Sequence, residues 1–173
     1  MILDSQLASQ FIEGYKKLLL EIEDPSEKTN HQQLLQKLVA GRSKLVDAPS
    51  LIEKALTSLA SKSETIDEEV IRAVRNLKVR DWVYLRDTKS YSILIEPSDR
   101  TAFGAVGLTN RIRDVIGGSG AFMEIGLVCF HGRFVMDGLI SRVVWLGKNY
   151  MSDFRDLFAE IKSEGQFHKK CGA

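Results

Sequence analysis

Arg80, Trp82, Tyr84 and Arg86 alternate along Arg80-Asp81-Trp82-Val83-Tyr84-Leu85-Arg86. On a strand, residues two apart share a face, so these four are expected on one side and Val83 and Leu85 on the other. Guanidiniums flanking two aromatic rings suit single-stranded nucleic acid, with bases stacking on the rings and arginines meeting phosphates. The same residue types dominate protein–protein hot spots, which makes a protein partner the nearest competitor. Turned inward, Trp82 and Tyr84 would be core, and the arginines would lay their stems over apolar surface. Eight arginines follow Lys78, among them Arg100, Arg111, Arg113, Arg133 and Arg142, against three before it, which favours planar recognition chemistry. From Val79 onward, thirteen Lys plus Arg face eleven Asp plus Glu, so any basic surface has to be local.

A second constellation joins Cys129-Phe130-His131 to His168-Lys169-Lys170-Cys171. Cys129 and His131 point the same way on a strand, and a two-residue spacer separates His168 from Cys171. Four such ligands would make a tetrahedral zinc site tying the C-terminal tail to the sheet. Alternatively, Cys129 is a small core hydrophobe. Glu124, Cys129, His131 and Asp137 also supply the thiol, imidazole and carboxylate of a nucleophilic site. Regular alternation places Cys129 opposite Glu124 unless Gly126 marks a bulge. Finally, Gly104-Ala105-Val106-Gly107-Leu108-Thr109 could present backbone N–H groups to a phosphate. It lacks the P-loop lysine and the dinucleotide spacing, and reads first as a strand-to-helix turn. Gly117-Gly118-Ser119-Gly120 reads as a flexible loop or lid.

The elements that must position these residues fall into two halves. Nine of thirteen glycines lie between Gly104 and Gly147, and the first hundred residues hold two. Before Leu77 the apolar residues follow helical spacing. The first helix is expected from Leu3 to Ile22, ended by Asp24-Pro25. The second is expected from Asn30 to Leu45, slightly weakened by Gly41. The third carries Ile52, Ala55, Leu56 and Leu59, and the fourth is opened by a capping box at Thr65-Ile66-Asp67-Glu68. After Leu77 the period shortens to two. Strands are expected from Val79 to Asp87, Ser90 to Glu96, Thr101 to Leu108, Ala121 to Phe130 and Phe134 to Val144, the last two joined by a His131-Gly132-Arg133 hairpin. Thr109 caps a short inserted helix, a last helix runs from Met151 to Lys162, and the tail from Lys169 is expected to be loose.

The predicted fold class is α+β. An N-terminal four-helix bundle or platform, residues 1–77, precedes a curved, mostly antiparallel sheet of about five strands at 78–173, which can half-close into a barrel. Apolar residues make up 44% of the 173-residue chain and charged residues 27%, which excludes wholesale disorder. A net charge of +1 supplies no global field for polyanions. No apolar run reaches the roughly 18 residues of a membrane span. Met1-Ile2-Leu3-Asp4 has no basic leader, so a cytoplasmic protein with Cys129 and Cys171 reduced is expected. The leading functional expectation is a non-catalytic interaction module that binds single-stranded nucleic acid or a protein through Arg80, Trp82, Tyr84 and Arg86. The alternatives are a zinc or thiol-dependent protein centred on Cys129 and His131, and a structural subunit that self-associates.

Overall fold

The change of hydrophobic period at Leu77 is also a change of architecture. A computed structural model describes residues 1–23 and 31–172, and the chain divides into two compact units: Gln6–Leu77, and Met1–Ser5 together with the chain from Lys78 onward. The expected end of the first helix at Asp24-Pro25 and the start of the second at Asn30 lie outside the described residues. Among the described residues, no helix is long and apolar enough to cross a membrane.

The helical unit contains α1 (Ser5–Glu23), α2 (His31–Asp47), α3 (Leu51–Ser61) and α4 (Glu68–Arg75). Phe11, Tyr15 and Leu18 form a buried stripe on α1, as their spacing predicts. Gly41 is more than a weak helix former: a Cβ there would lie 2.4 Å from the Leu19 carbonyl oxygen, so glycine permits the close approach of α1 and α2. The cap of α4 is Asp67, not Thr65. Its carboxylate accepts from the Glu69 N–H at 2.8 Å because the helix begins two residues later than a threonine-capped box requires.

The second unit is a barrel. Its elements are β1 (Lys78–Asp87), β2 (Ser92–Glu96), β3 (Thr101–Val106), α5 (Ile112–Ile116), β4 (Ala121–Phe130), β5 (Arg133–Met136), β6 (Arg142–Trp145), α6 (Lys148–Ser163) and β7 (Phe167–His168). The strands run in the order β1-β2-β3-β5-β4, and β1 pairs again with β4, closing a ring of five. Only the β3–β5 junction of that ring is parallel. β6 adds to β4 outside the ring, and β7 runs parallel to β3. The expected single strand from Phe134 to Val144 is thus two, β5 and β6, parted near Gly138 at φ 81°. The inserted helix starts after Arg111, which has no side-chain cap bond, so Thr109 does not cap it. Gly117, at φ 82°, ends it. Met1–Ser5 joins the barrel unit rather than the helices: Leu3 N–H donates to the Gly107 carbonyl and Gly107 N–H to that of Met1.

Alternation sorts the barrel's apolar residues into two layers. Trp82, Tyr84, Leu94, Phe103, Met123 and Ile125 fill the interior, and Ile112 of α5 packs with them. Val83, Leu85, Ile93, Ile95 and Ala102 face outward and are covered by α6 through Ile161, Phe154, Leu157 and Phe158. The outer wall of β1–β3 is therefore a second core, not a free face.

The two tryptophans occupy opposite environments, Trp82 at 0% and Trp145 at 53% exposure. In a Trp145→Phe variant, the remaining fluorescence should resist acrylamide quenching until the protein unfolds. Trp82→Ala should destabilise the barrel by about 3–5 kcal/mol, read by urea titration of its near-UV circular dichroism.

Candidate functional site

The strand parity that nominated Arg80, Trp82, Tyr84 and Arg86 is broken within β1. Tyr84 faces Leu94, but Arg86 faces Ile93, so Leu85 and Arg86 together oppose one residue of β2. This is a β-bulge, and it turns Arg86 to the outer side beside Leu85. Trp82 and Tyr84 remain inside and fully buried. The indole N–H of Trp82 donates to the Ile125 carbonyl at 2.9 Å, and its ring meets Phe103 edge-on. The Tyr84 hydroxyl donates to Asp87 Oδ1 at 2.8 Å. Burial pushes the Tyr84 phenol above the ordinary tyrosine range, and the bond to Asp87 adds to the shift. Arg80 is exposed at the start of the strand, where its Nε lies 3.5 Å from Glu96. The four residues therefore form no common face. Buried rings cannot stack bases, so the expected stacking platform is corrected: Trp82 and Tyr84 are core.

The second constellation is partly assembled, with a different chemistry. Cys129 and Cys171 form a disulfide across 42 residues, with Cα atoms 5.7 Å apart. The expected reduced thiols are corrected accordingly. The zinc set of Cys129, His131, His168 and Cys171 is also corrected, since a metal ligand must be a thiolate and these sulfurs are bonded to each other. His168 packs its ring against Phe103, while His131 sits in the hairpin turn with its ring against Phe130. Among the described residues, no group of three or more His, Cys, Asp or Glu side chains is placed to hold a metal ion.

The nucleophilic set is not assembled either. Cys129 is blocked by the disulfide, and Glu124 accepts the Ser141 hydroxyl. Asp137 is buried, with its Oδ1 accepting backbone N–H groups from Gly126 at 3.1 Å and Leu139 at 3.0 Å. The glycine turn does not cradle a phosphate, since Gly107 N–H already donates to Met1 and a Cβ at Gly107 would lie 1.9 Å from the Asn110 carbonyl oxygen. In the Gly117–Gly120 loop, Trp145 packs on Gly118 and Met151 on Gly120.

What the disulfide does build is a basic pocket. His131 and Gly132 lie at positive φ, 47° and 72°, and make the two-residue turn between β4 and β5. Arg133 follows directly on β5. The tail returns along β3 as β7, then Cys171 N–H donates to the Gly132 carbonyl and the disulfide fixes Cys171 to β4. The expected loose tail is in fact held at both ends of its basic pair, Lys169-Lys170. His131, Arg133, Lys169 and Lys170, with the backbones of Gly104 and Gly132, line a pocket of about 380 Å³. Among the described residues, none that lines it is acidic. Among the described residues, none of these four side chains pairs with a carboxylate. Lys169 lies over the rings of Tyr91 and Phe167 at 5.9 and 5.5 Å, which orients its ammonium group. Such an arrangement can hold an anion by charge and by planar guanidinium hydrogen bonds.

Sequence reasoning missed Arg133, Lys169 and Lys170 as a set. Their common signal was adjacency to the cysteines: one flanks the hairpin that follows Cys129, and the others directly precede Cys171. Comparison of the chain with protein-family models, curated proteins and solved structures gives no match.

Neither cysteine should react with a thiol reagent in denaturant unless reductant is added. Replacing both by serine should lower barrel stability by about 2–4 kcal/mol and speed tryptic cleavage after Lys169 and Lys170, followed by mass spectrometry.

Proposed function

We propose that the barrel is a non-catalytic binding module for single-stranded nucleic acid, engaged through phosphates at His131, Arg133, Lys169 and Lys170. The observation that carries this reading is the concentration of unpaired basic side chains in one pocket of a chain whose net charge is only +1. A local patch of this kind attracts a polyanion where the whole molecule does not. Fold-level analogy adds support: five-stranded Greek-key barrels of the OB type bind oligonucleotides on strands 2 and 3 and on the loops after strands 1 and 4. Here α6 covers the outer wall of β1–β3, while the loop after β4 lines the basic pocket. The ligand is thereby directed to the hairpin and tail, and the contacts are to backbone phosphates rather than to stacked bases. The disulfide favours an oxidising compartment over the cytoplasmic location expected from the Met1-Ile2-Leu3-Asp4 stretch.

A second reading is self-association through β6, and its observation is independent. All four residues of Arg142-Val143-Val144-Trp145 are exposed, and β6 pairs only with β4 among the described strands. An apolar edge without lysine, proline or a bulge is open to strand pairing. Two copies paired antiparallel about Val143 and Val144 would set Arg142 of one against Trp145 of the other, a cation–π match.

Fluorescence anisotropy with a labelled oligothymidylate tests the first reading. Binding should weaken with salt, and Arg133→Ala with Lys170→Ala should lower affinity about tenfold or more and shallow the salt slope by about 0.7 per lost phosphate contact. Unchanged affinity and slope in that variant would refute the site. For the second reading, sedimentation should show a concentration-dependent dimer that Val144→Lys converts to monomer, and a monomer at all concentrations would refute it.

A further inference from the structure

The bulge in β1 builds a second pocket, of a different character. Because Leu85 and Arg86 both stand outward, a cation that regular alternation would send into the barrel lies instead beside an apolar residue under α6. Arg155, Phe158, Ala159 and Lys162 of α6 are spaced three, one and three residues apart, which puts them on one side of that helix. With Leu85 and Arg86 they line a pocket of about 540 Å³. That volume lies within the usual range for small-molecule sites. Its floor is apolar: Leu85 is buried, Phe158 is half-buried, and Ala159 adds a methyl group. Three cations, Arg86, Arg155 and Lys162, line it with that floor, and among the described residues no carboxylate lines the pocket. Among the described residues, none of the three is paired with an acid, while nearby Glu160 of α6 and Glu164, which caps its C-terminus, are both taken by Arg100, at 2.9 and 3.1 Å.

From this geometry we infer that the bulge pocket binds a small amphipathic anion, an aliphatic chain carrying one carboxylate. The apolar floor accounts for the chain, because a purely ionic ligand would gain nothing from Leu85, Phe158 and Ala159. Three like charges around one opening account for the head group, because an anion relieves their mutual repulsion and a guanidinium meets a carboxylate in bidentate fashion. A neutral ligand would leave that repulsion in place. The inference is independent of the polyanion reading, since the two pockets share no residue.

Decanoate is the probe, with binding measured by calorimetry and by displacement of anilinonaphthalene sulfonate fluorescence. One saturable site is expected, with decanol and decyltrimethylammonium each binding at least about tenfold more weakly. Arg86→Ala combined with Arg155→Ala should weaken decanoate about ten- to a hundredfold, the loss expected for charge-assisted hydrogen bonds. Ala159→Trp, at an exposed helical position, should fill the pocket and abolish binding while thermal unfolding stays at the wild-type temperature. Arg133→Ala with Lys170→Ala should leave decanoate affinity unchanged, which separates this site from the first. Equal affinity for decanol, wild-type affinity in Ala159→Trp, or no saturation at about 1 mM decanoate would overturn the inference. Displacement of bound decanoate by oligothymidylate would also overturn it, by making the pocket part of a polyanion track.

Discussion

The double pairing of β1 is the constraint on which the barrel depends. One strand of ten residues bonds to β2 along one edge and to β4 along the other, so the sheet has no open end within its ring. Closure gives every ring strand an inside and an outside. The inside must be filled by side chains, which is where Trp82 and Tyr84 go. The outside of β1–β3 is also apolar, and it must be covered by something. That second requirement recruits α6. The two recesses described above lie where the regular pattern is interrupted.

Both pockets arise at such interruptions. One follows from a single extra residue in β1, which turns Arg86 outward. The other follows from a two-residue turn with both residues at positive φ, backed by a tail that returns to the same place. In each case a deviation collects cations that regular alternation would scatter. Many other arginines are neutralised: Arg100 by Glu160 and Glu164, Arg142 by Asp81, Arg75 by Glu53. The balanced composition of the chain hides this division between paired and unpaired cations.

The fold was largely legible because hydrophobic period is a local property. The helices carrying Phe11, Tyr15 and Leu18 or Ile52, Ala55 and Leu59 could be read within a few turns, and so could the alternation of β1 and the hairpin at His131-Gly132. What could not be read was which layer covers a strand. Parity correctly put Trp82 and Tyr84 on one side, but the choice between core and surface depends on ring closure, which pairs Lys78–Tyr84 with Ala121–Leu127 some forty residues away. Arg86 was misplaced because a bulge leaves no mark in residue type. Cys129 and Cys171 were expected to be reduced thiols, with a shared zinc site as an alternative, because their bonding depends on distance, and distance is set by β7 and the hairpin together. The basic pocket was missed for the same reason, since its cations come from separate stretches of chain.

The bridge between Ile2 and Gly107 gives the chain an order of assembly. The whole helical unit, Gln6–Leu77, is an insertion between a short N-terminal segment of the barrel and β1. During synthesis Met1–Leu3 have no partner until Gly107 follows. The helices, rich in local contacts, can fold in that interval, whereas the barrel has to wait for its distant strands. Met1–Leu3 are thus secured only once Gly107 is in place. The early helical unit and the late barrel are joined twice by the chain, once before Gln6 and once after Leu77.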